Sequence, residues 1–176
     1  MNRSYSEMYG LDCPVDLNLA IDIPLNILNS NDDYKCRVIY GRSIEDISYS
    51  KYTPKFPSSI KVVHHNSIDY HLKYSNRDEI NSLLDKSHSD EILIIKEGLV
   101  TDTSKYNVCF FNGQRWFTPS TPLLKGIMRE ALIEKGIISE IKIKKEDLAG
   151  FTHFVLINAL NPFNPSNAFT IKSLRT

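Results

Sequence analysis

Apolar and polar positions change period several times along the chain, and each change predicts an element. At the start, Tyr5, Met8, Tyr9 and Leu11 recur at near-helical spacing around Gly10, which predicts a helix that begins at the first residue without a clear cap. Residues 35–40 and 44–52 then gather β-branched and aromatic side chains on either side of Gly41, the pattern of two strands in a hairpin. Pro54 and Pro57 stiffen the path that follows and deny ladder donors to any central strand. Residues 53–59 therefore read as a linker between a small domain, 1–52, and a larger one, 60–176.

In the larger part, residues 60–63 predict a short strand and 77–86 a helix with Ile80, Leu83 and Leu84 on one face. Strand periods return at 91–96, 106–111 and 114–117, broken by Glu97-Gly98 and by Asn112-Gly113, a hairpin-turn pair. Residues 99–107 read as the connection between two of those strands. Apolar residues at 127, 128, 131, 132 and 133 predict a helix over 127–135 that stops at Gly136. A strand at 137–143, a short helix at 145–148 and a buried strand at 154–157 complete the pattern. The tail after Pro165 is mostly polar and is expected to be loosely held.

Composition narrows the classes of function. At 176 residues the chain has room for one compact domain or two small ones. Twenty-one Lys+Arg balance twenty-one Asp+Glu, so no global basic surface exists for a nucleic-acid backbone or an anionic membrane. The apolar runs are strand-sized, below the roughly 18 residues of a membrane span. The first residues lack the apolar stretch of a signal peptide, and the three cysteines, at 13, 36 and 109, are odd in number and far apart. A reducing cytosol is the expectation. His64, His65, His71, His88 and His153 show no metal-ligand spacing, and no G-x-S-x-G, Walker loop or G-x-G-x-x-G occurs.

Four segments carry residues with usable chemistry. Lys73 stands between a predicted strand and a predicted helix among aromatic and hydrogen-bonding neighbours. Partial desolvation there lowers an amine's pKa and readies it for attack on an aldehyde, although solvated surface lysines are the commoner case. Asp102 lies in Thr101-Asp-Thr-Ser104; it can face a pocket and hold a pyridine nitrogen protonated, but turn chemistry is the commoner use of such residues. Gly126 precedes a helix whose free amides favour an anion. Asn158, ending an apolar strand, is either a second donor to that anion or the start of a turn before Pro162.

Taken in order, these segments resemble the class IV aminotransferase family, which includes branched-chain and D-amino-acid aminotransferases and aminodeoxychorismate lyase. Lys73-Tyr-Ser-Asn-Arg77 is similar to the family's lysine segment in its lyase form, and Val100-Thr-Asp-Thr-Ser-Lys-Tyr-Asn107 to its Thr-Glu-(four residues)-Asn stretch. Leu124-Lys-Gly-Ile-Met-Arg129 resembles the phosphate turn, and Asn158-Ala-Leu-Asn-Pro162 the lyase's Asn-Ala-Leu-x-Pro. The resemblance implies an α+β fold of two domains, the D-amino-acid aminotransferase-like fold, and pyridoxal 5'-phosphate as cofactor. Lys73 would hold the cofactor and shuttle protons. Asp102, one methylene shorter than the family's glutamate, would address the pyridine nitrogen, and Asn107, which ends that motif, would also bind the cofactor. Gly126, Ile127, Met128, Asn158 and Ala159 would bind the phosphate.

The same resemblance implies a strand hairpin and an H-x-x-R helix start ahead of the position of Met1, hence a truncated small domain. Loss of that arginine would cost about 1.5–3 kcal/mol of phosphate binding. The activity it implies is elimination of pyruvate from aminodeoxychorismate, giving 4-aminobenzoate for folate synthesis. An amino-acid transaminase and a non-catalytic relative that keeps the fold are the alternatives. A small-molecule substrate and a homodimer go with the resemblance.

Overall fold

The structure, a computed structural model, describes residues 1–175 and consists of two compact units, Met1–Lys55 and Phe56–Thr176. In the first, helix α1 (Asn2–Tyr9) ends where Gly10 turns left-handed at φ 66°, its N–H donating to Ser6 O. Two single-turn helices follow, α2 (Leu17–Ala20), capped by Asp16, and α3 (Leu25–Leu28). No sequence period reports them, because one turn is too short to repeat a face. Strands β1 (Tyr34–Tyr40) and β2 (Ile44–Lys51) form the expected antiparallel hairpin, with a register shift at Ile39/Tyr40. Among the described residues of this unit Tyr5 alone is buried, while Leu19, Leu25 and Leu28 are exposed.

The second unit holds two sheets. Its elements in order are β3 (Ile60–His64), α4 (Asp78–Ser87), β4 (Glu91–Lys96), β5 (Leu99–Thr103), β6 (Asn107–Phe111), β7 (Trp116–Pro119), α5 (Ile127–Glu134), β8 (Ile138–Ile141), β9 (His153–Ile157), β10 (Phe169–Thr170) and β11 (Leu174–Arg175). A 3₁₀ turn at Glu146–Gly150 precedes β9. One sheet has the order β11-β3-β4-β5 and the other β10-β9-β6-β7-β8. Crossovers through α4 and α5 make β3–β4 and β7–β8 parallel.

The run Ile92-Leu-Ile-Ile95 is apolar throughout because both faces of β4 are covered. Leu93 and Ile95 join Ile60, Val62, Val108, Phe110, Phe154 and Leu156 in the core shared by the two sheets. Ile92 and Ile94 turn the other way, to Ile68, Tyr70 and Ile80. Cys109, Val155 and Ile157, on the far face of the second sheet, pack with Leu132 of α5.

Two expectations need correction. Residues 99–107 are not simply a connection: Leu99–Thr103 is a strand, closed onto β4 by the turn at Glu97 and Gly98, whose φ values are 51° and 76°. Two successive positive φ angles suit a two-residue hairpin, which leaves the next five residues free to pair. The tail is not loose either. Phe169 pairs with Phe154 and stacks on its ring, and Leu174 pairs in parallel with Ile60. A few apolar residues spaced among polar ones close an edge on each sheet, which average polarity conceals. No helix among the described residues is long and apolar enough to cross a membrane.

Candidate active site

The hub of the site is the β5–β6 corner, residues 102–107. Strand alternation turns Asp102 inward, where it is only 5% exposed. The amide of Asn107, first residue of β6, donates to Asp102 Oδ1 at 2.7 Å and to Leu124 O at 2.8 Å. Leu124 N–H donates to Asp102 Oδ2 at 2.8 Å. Burial pushes the Asp102 carboxyl up to about 6, against the opposing pull of these donors and of the Arg129 positive charge. Turn chemistry is present, but it belongs to Thr103: its hydroxyl accepts from Tyr106 N–H at 3.0 Å. Asp102 is therefore a buried strand residue, contrary to the turn role that its neighbours favoured on sequence alone.

Lys73 stands at the apex of a three-residue turn, since Tyr74 N–H donates to Leu72 O at 2.9 Å. Leu72 is buried and Tyr74 half-buried, whereas Lys73 is exposed, so the desolvation expected for it is absent within this chain. The flanks fix the turn. Tyr70 OH donates to Tyr74 O at 2.9 Å, and Arg77 donates to Tyr70 OH at 3.0 Å and to Ser104 O. Arg77 also lies over the Tyr70 ring, 5.2 Å from its centroid. The side chains of Tyr70 and Tyr74 pack in one apolar cluster with Leu123 and Leu124, which draws the lysine turn beside the segment leading to Gly126.

Gly126 is the N-cap of α5, with extended backbone and no side-chain cap among the described residues. The leading amides of the helix, at Ile127 and Met128, have no intrahelical acceptor. A Cβ built on Gly126 meets Asn107 Oδ1 at 2.2 Å, so the glycine is required by close approach and not by φ, which is −75°. Ile127 is exposed, and Met128 packs towards the core of the second sheet. Asn158, at the end of β9, donates through Nδ2 to Lys105 O at 3.2 Å and accepts from Leu160 N–H at 2.9 Å. Ala159 is exposed in the turn that follows.

Hydrogen bonds thus join the other three sequence segments to the corner that holds Asp102: Arg77 to Ser104, Leu124 to Asp102 and Asn107, and Asn158 to Lys105. Sequence reasoning assigned no role to Arg77, Ser104 or the Leu124 backbone. Arg77 stood inside a quoted motif, but a backbone amide leaves no signature in residue identity. Arg129 was also passed over. It is 2% exposed and bonded to Pro119 O and Glu140, a buried cation within electrostatic range of Asp102.

Pyridoxal phosphate requires a seat for a phosphate monoester, an amine for its aldehyde and a polar group for its ring nitrogen. The uncapped start of α5 suits the first and the displayed Lys73 amine the second. Asp102 Oδ1 accepts from Asn107 and Oδ2 from Leu124, the Leu123 backbone also acts on the carboxylate, and lone-pair capacity remains for the third. The donor set fits the group.

Comparison with known proteins adds an independent line. The family model described as amino-transferase class IV matches residues 3–167. The chain is 40% identical over 160 residues to an uncharacterized protein of Haemophilus influenzae, covering 90% of this chain and 85% of that one. It is 30% identical over 112 residues to a candidate aminodeoxychorismate lyase of Schizosaccharomyces pombe, covering 61% of this chain and 46% of that protein. The crystal structure of a candidate 4-amino-4-deoxychorismate lyase from Haemophilus somnus superposes with a TM-score of 0.78 and 33% identity. That match covers 92% of this chain and 85% of the other.

Proposed function

This chain belongs to the class IV aminotransferase family, and we propose that it is a lyase that eliminates pyruvate from aminodeoxychorismate to give 4-aminobenzoate. Pyridoxal phosphate is the cofactor that goes with the family. When bound it supplies an electron sink for the electrons released at the carbon bearing the substrate amine. The lyase reading is favoured over transamination by the two relatives of at least 30% identity that carry lyase descriptions.

The observation that carries this reading is the convergence of the other three segments on residues 102–107. Lys73 Nζ would hold the cofactor, and its amine would take the proton from the ring carbon that bears the amino group. Loss of that proton and of the C–O bond to the enolpyruvyl group leaves the ring aromatic, and the Lys73 ammonium would return a proton to the departing enolpyruvate to yield pyruvate. Asp102, mostly ionised at neutral pH given a pKa of about 6, favours a protonated ring nitrogen through a charge-assisted contact. The first amides of α5 and the Asn158–Ala159 turn receive the phosphate, and the fixed flanks of the Lys73 turn limit the positions its amine samples. A homodimer belongs to the same reading.

The test is product analysis. Purified protein loaded with pyridoxal phosphate is expected to release pyruvate and 4-aminobenzoate in equal amounts from aminodeoxychorismate, with the Lys73→Ala variant inactive. Amino-group transfer to a keto acid without pyruvate release would assign the protein to the transaminases instead.

A further inference from the structure

We propose that Asp102 and Asn107 together are positioning residues of the phosphate seat, fixing the turn before Gly126 so that the leading amides of α5 face the bound anion. The inference rests on the cofactor reading above and extends it: the acid expected to address the ring end would also govern the opposite end of the same molecule.

The geometry supports it bond by bond. Leu124, two residues ahead of the helix N-cap, has both backbone groups held, its N–H by Asp102 Oδ2 at 2.8 Å and its carbonyl by Asn107 Nδ2 at 2.8 Å. Asn107 Nδ2 also bonds Asp102 Oδ1 at 2.7 Å, which sets the amide's orientation. Its other face meets Gly126, where Oδ1 occupies the space that a Cβ would need. The segment is anchored upstream as well, by Thr121 Oγ1 donating to Val100 O at 3.0 Å and Ser120 N–H to Ile141 O at 2.8 Å. From 120 to 126 the chain is thus fastened at its entrance and again just before the helix.

A carboxylate that served the ring nitrogen alone would have no reason to engage a backbone amide of the phosphate turn. A side chain that merely filled space would not need a charge held in a buried strand, where ionisation is costly. One observation explains both: Asp102 and Asn107 spend their short side chains on the two backbone groups of a single residue. That arrangement sets the turn's direction and not just its proximity.

The experiment compares two probes, pyridoxal phosphate and pyridoxal, the second lacking the phosphate, titrated into the wild type, Asp102→Asn and Asn107→Ala by difference absorption. Asparagine at 102 keeps the shape but offers one acceptor oxygen where two are in use. The expected result is an affinity loss of roughly tenfold for pyridoxal phosphate in each variant, with at most about half that factor for pyridoxal. The ratio of the two affinities therefore falls in both variants. Asn107→Ala leaves the carboxylate in place and so tests the seat even if Asp102→Asn folds poorly. Equal losses for both probes, or an unchanged ratio in Asn107→Ala, would overturn the inference while leaving the cofactor reading intact. A wild-type protein that takes up neither probe would overturn both.

Discussion

The close approach of Gly126 to Asn107 supports a quantitative prediction. In Gly126→Ala the new methyl would sit 2.2 Å from Asn107 Oδ1, about 1 Å inside the closest contact a carbon and an oxygen tolerate. Relief requires the Asn107 amide to move, and it is held by bonds of 2.7 and 2.8 Å to Asp102 and Leu124. Breaking one leaves a buried polar group unsatisfied, at about 1–3 kcal/mol. Alanine is also a poorer N-cap than glycine, which adds roughly 0.5–1 kcal/mol. The expected loss is about 1.5–4 kcal/mol, measured as a shift in urea midpoint at constant slope. The decisive assay is a double-mutant cycle with Asn107→Ala. With the amide gone the methyl has room, so Gly126→Ala should then cost only its capping part, and the coupling should be at least about 1 kcal/mol. Additive effects of the two substitutions would refute the packing argument.

Other consequences can be measured separately. The folded pKa of Asp102 lies above its unfolded value of 3.8, at about 6, so its protonation stabilises the fold, fully below the unfolded value and not above the folded one. The stability of the wild type relative to Asp102→Asn should rise by up to roughly 3 kcal/mol as pH falls from 7.5 to 4; urea titrations that show a flat or inverted difference would contradict the burial argument. Arg77→Ala loses the contacts to Tyr70 OH and Ser104 O, about 1–3 kcal/mol, and should speed tryptic cleavage after Lys73. Arg77→Lys should not restore it, because an ammonium lacks the fork that reaches both acceptors. Truncation after Ala168 removes β10 and β11 and uncovers edges of both sheets, so the melting temperature should drop by several degrees; an unchanged melt would restore the view of a loose tail.

Much of the fold was legible because it rests on periodicity. The hairpin around Gly41, helices α4 and α5 and the all-apolar β4 follow from residue spacing, and Gly126 was placed at a helix start by its neighbours. Strand β5 was missed because Leu99-Val-Thr-Asp-Thr103 contains the residues of a turn, while its pairing depends on the hairpin geometry at Glu97 and Gly98. The site was legible as a set of segments in order, not as contacts. Nothing in the residue string says that Arg77 reaches Ser104 or that Asp102 holds the amide of Leu124, since those bonds form between segments distant in sequence and partly through backbone atoms. Turn propensity around Asp102 was real, but one hydroxyl, that of Thr103, satisfies it.

Whether the Lys73 amine carries the cofactor is read from borohydride reduction of protein incubated with pyridoxal phosphate. Reduction followed by peptide mass spectrometry should find one pyridoxyl-phosphate group per chain, on Lys73, together with loss of the visible absorption band. A modification spread over several surface lysines, or a single one at another position, would contradict the account.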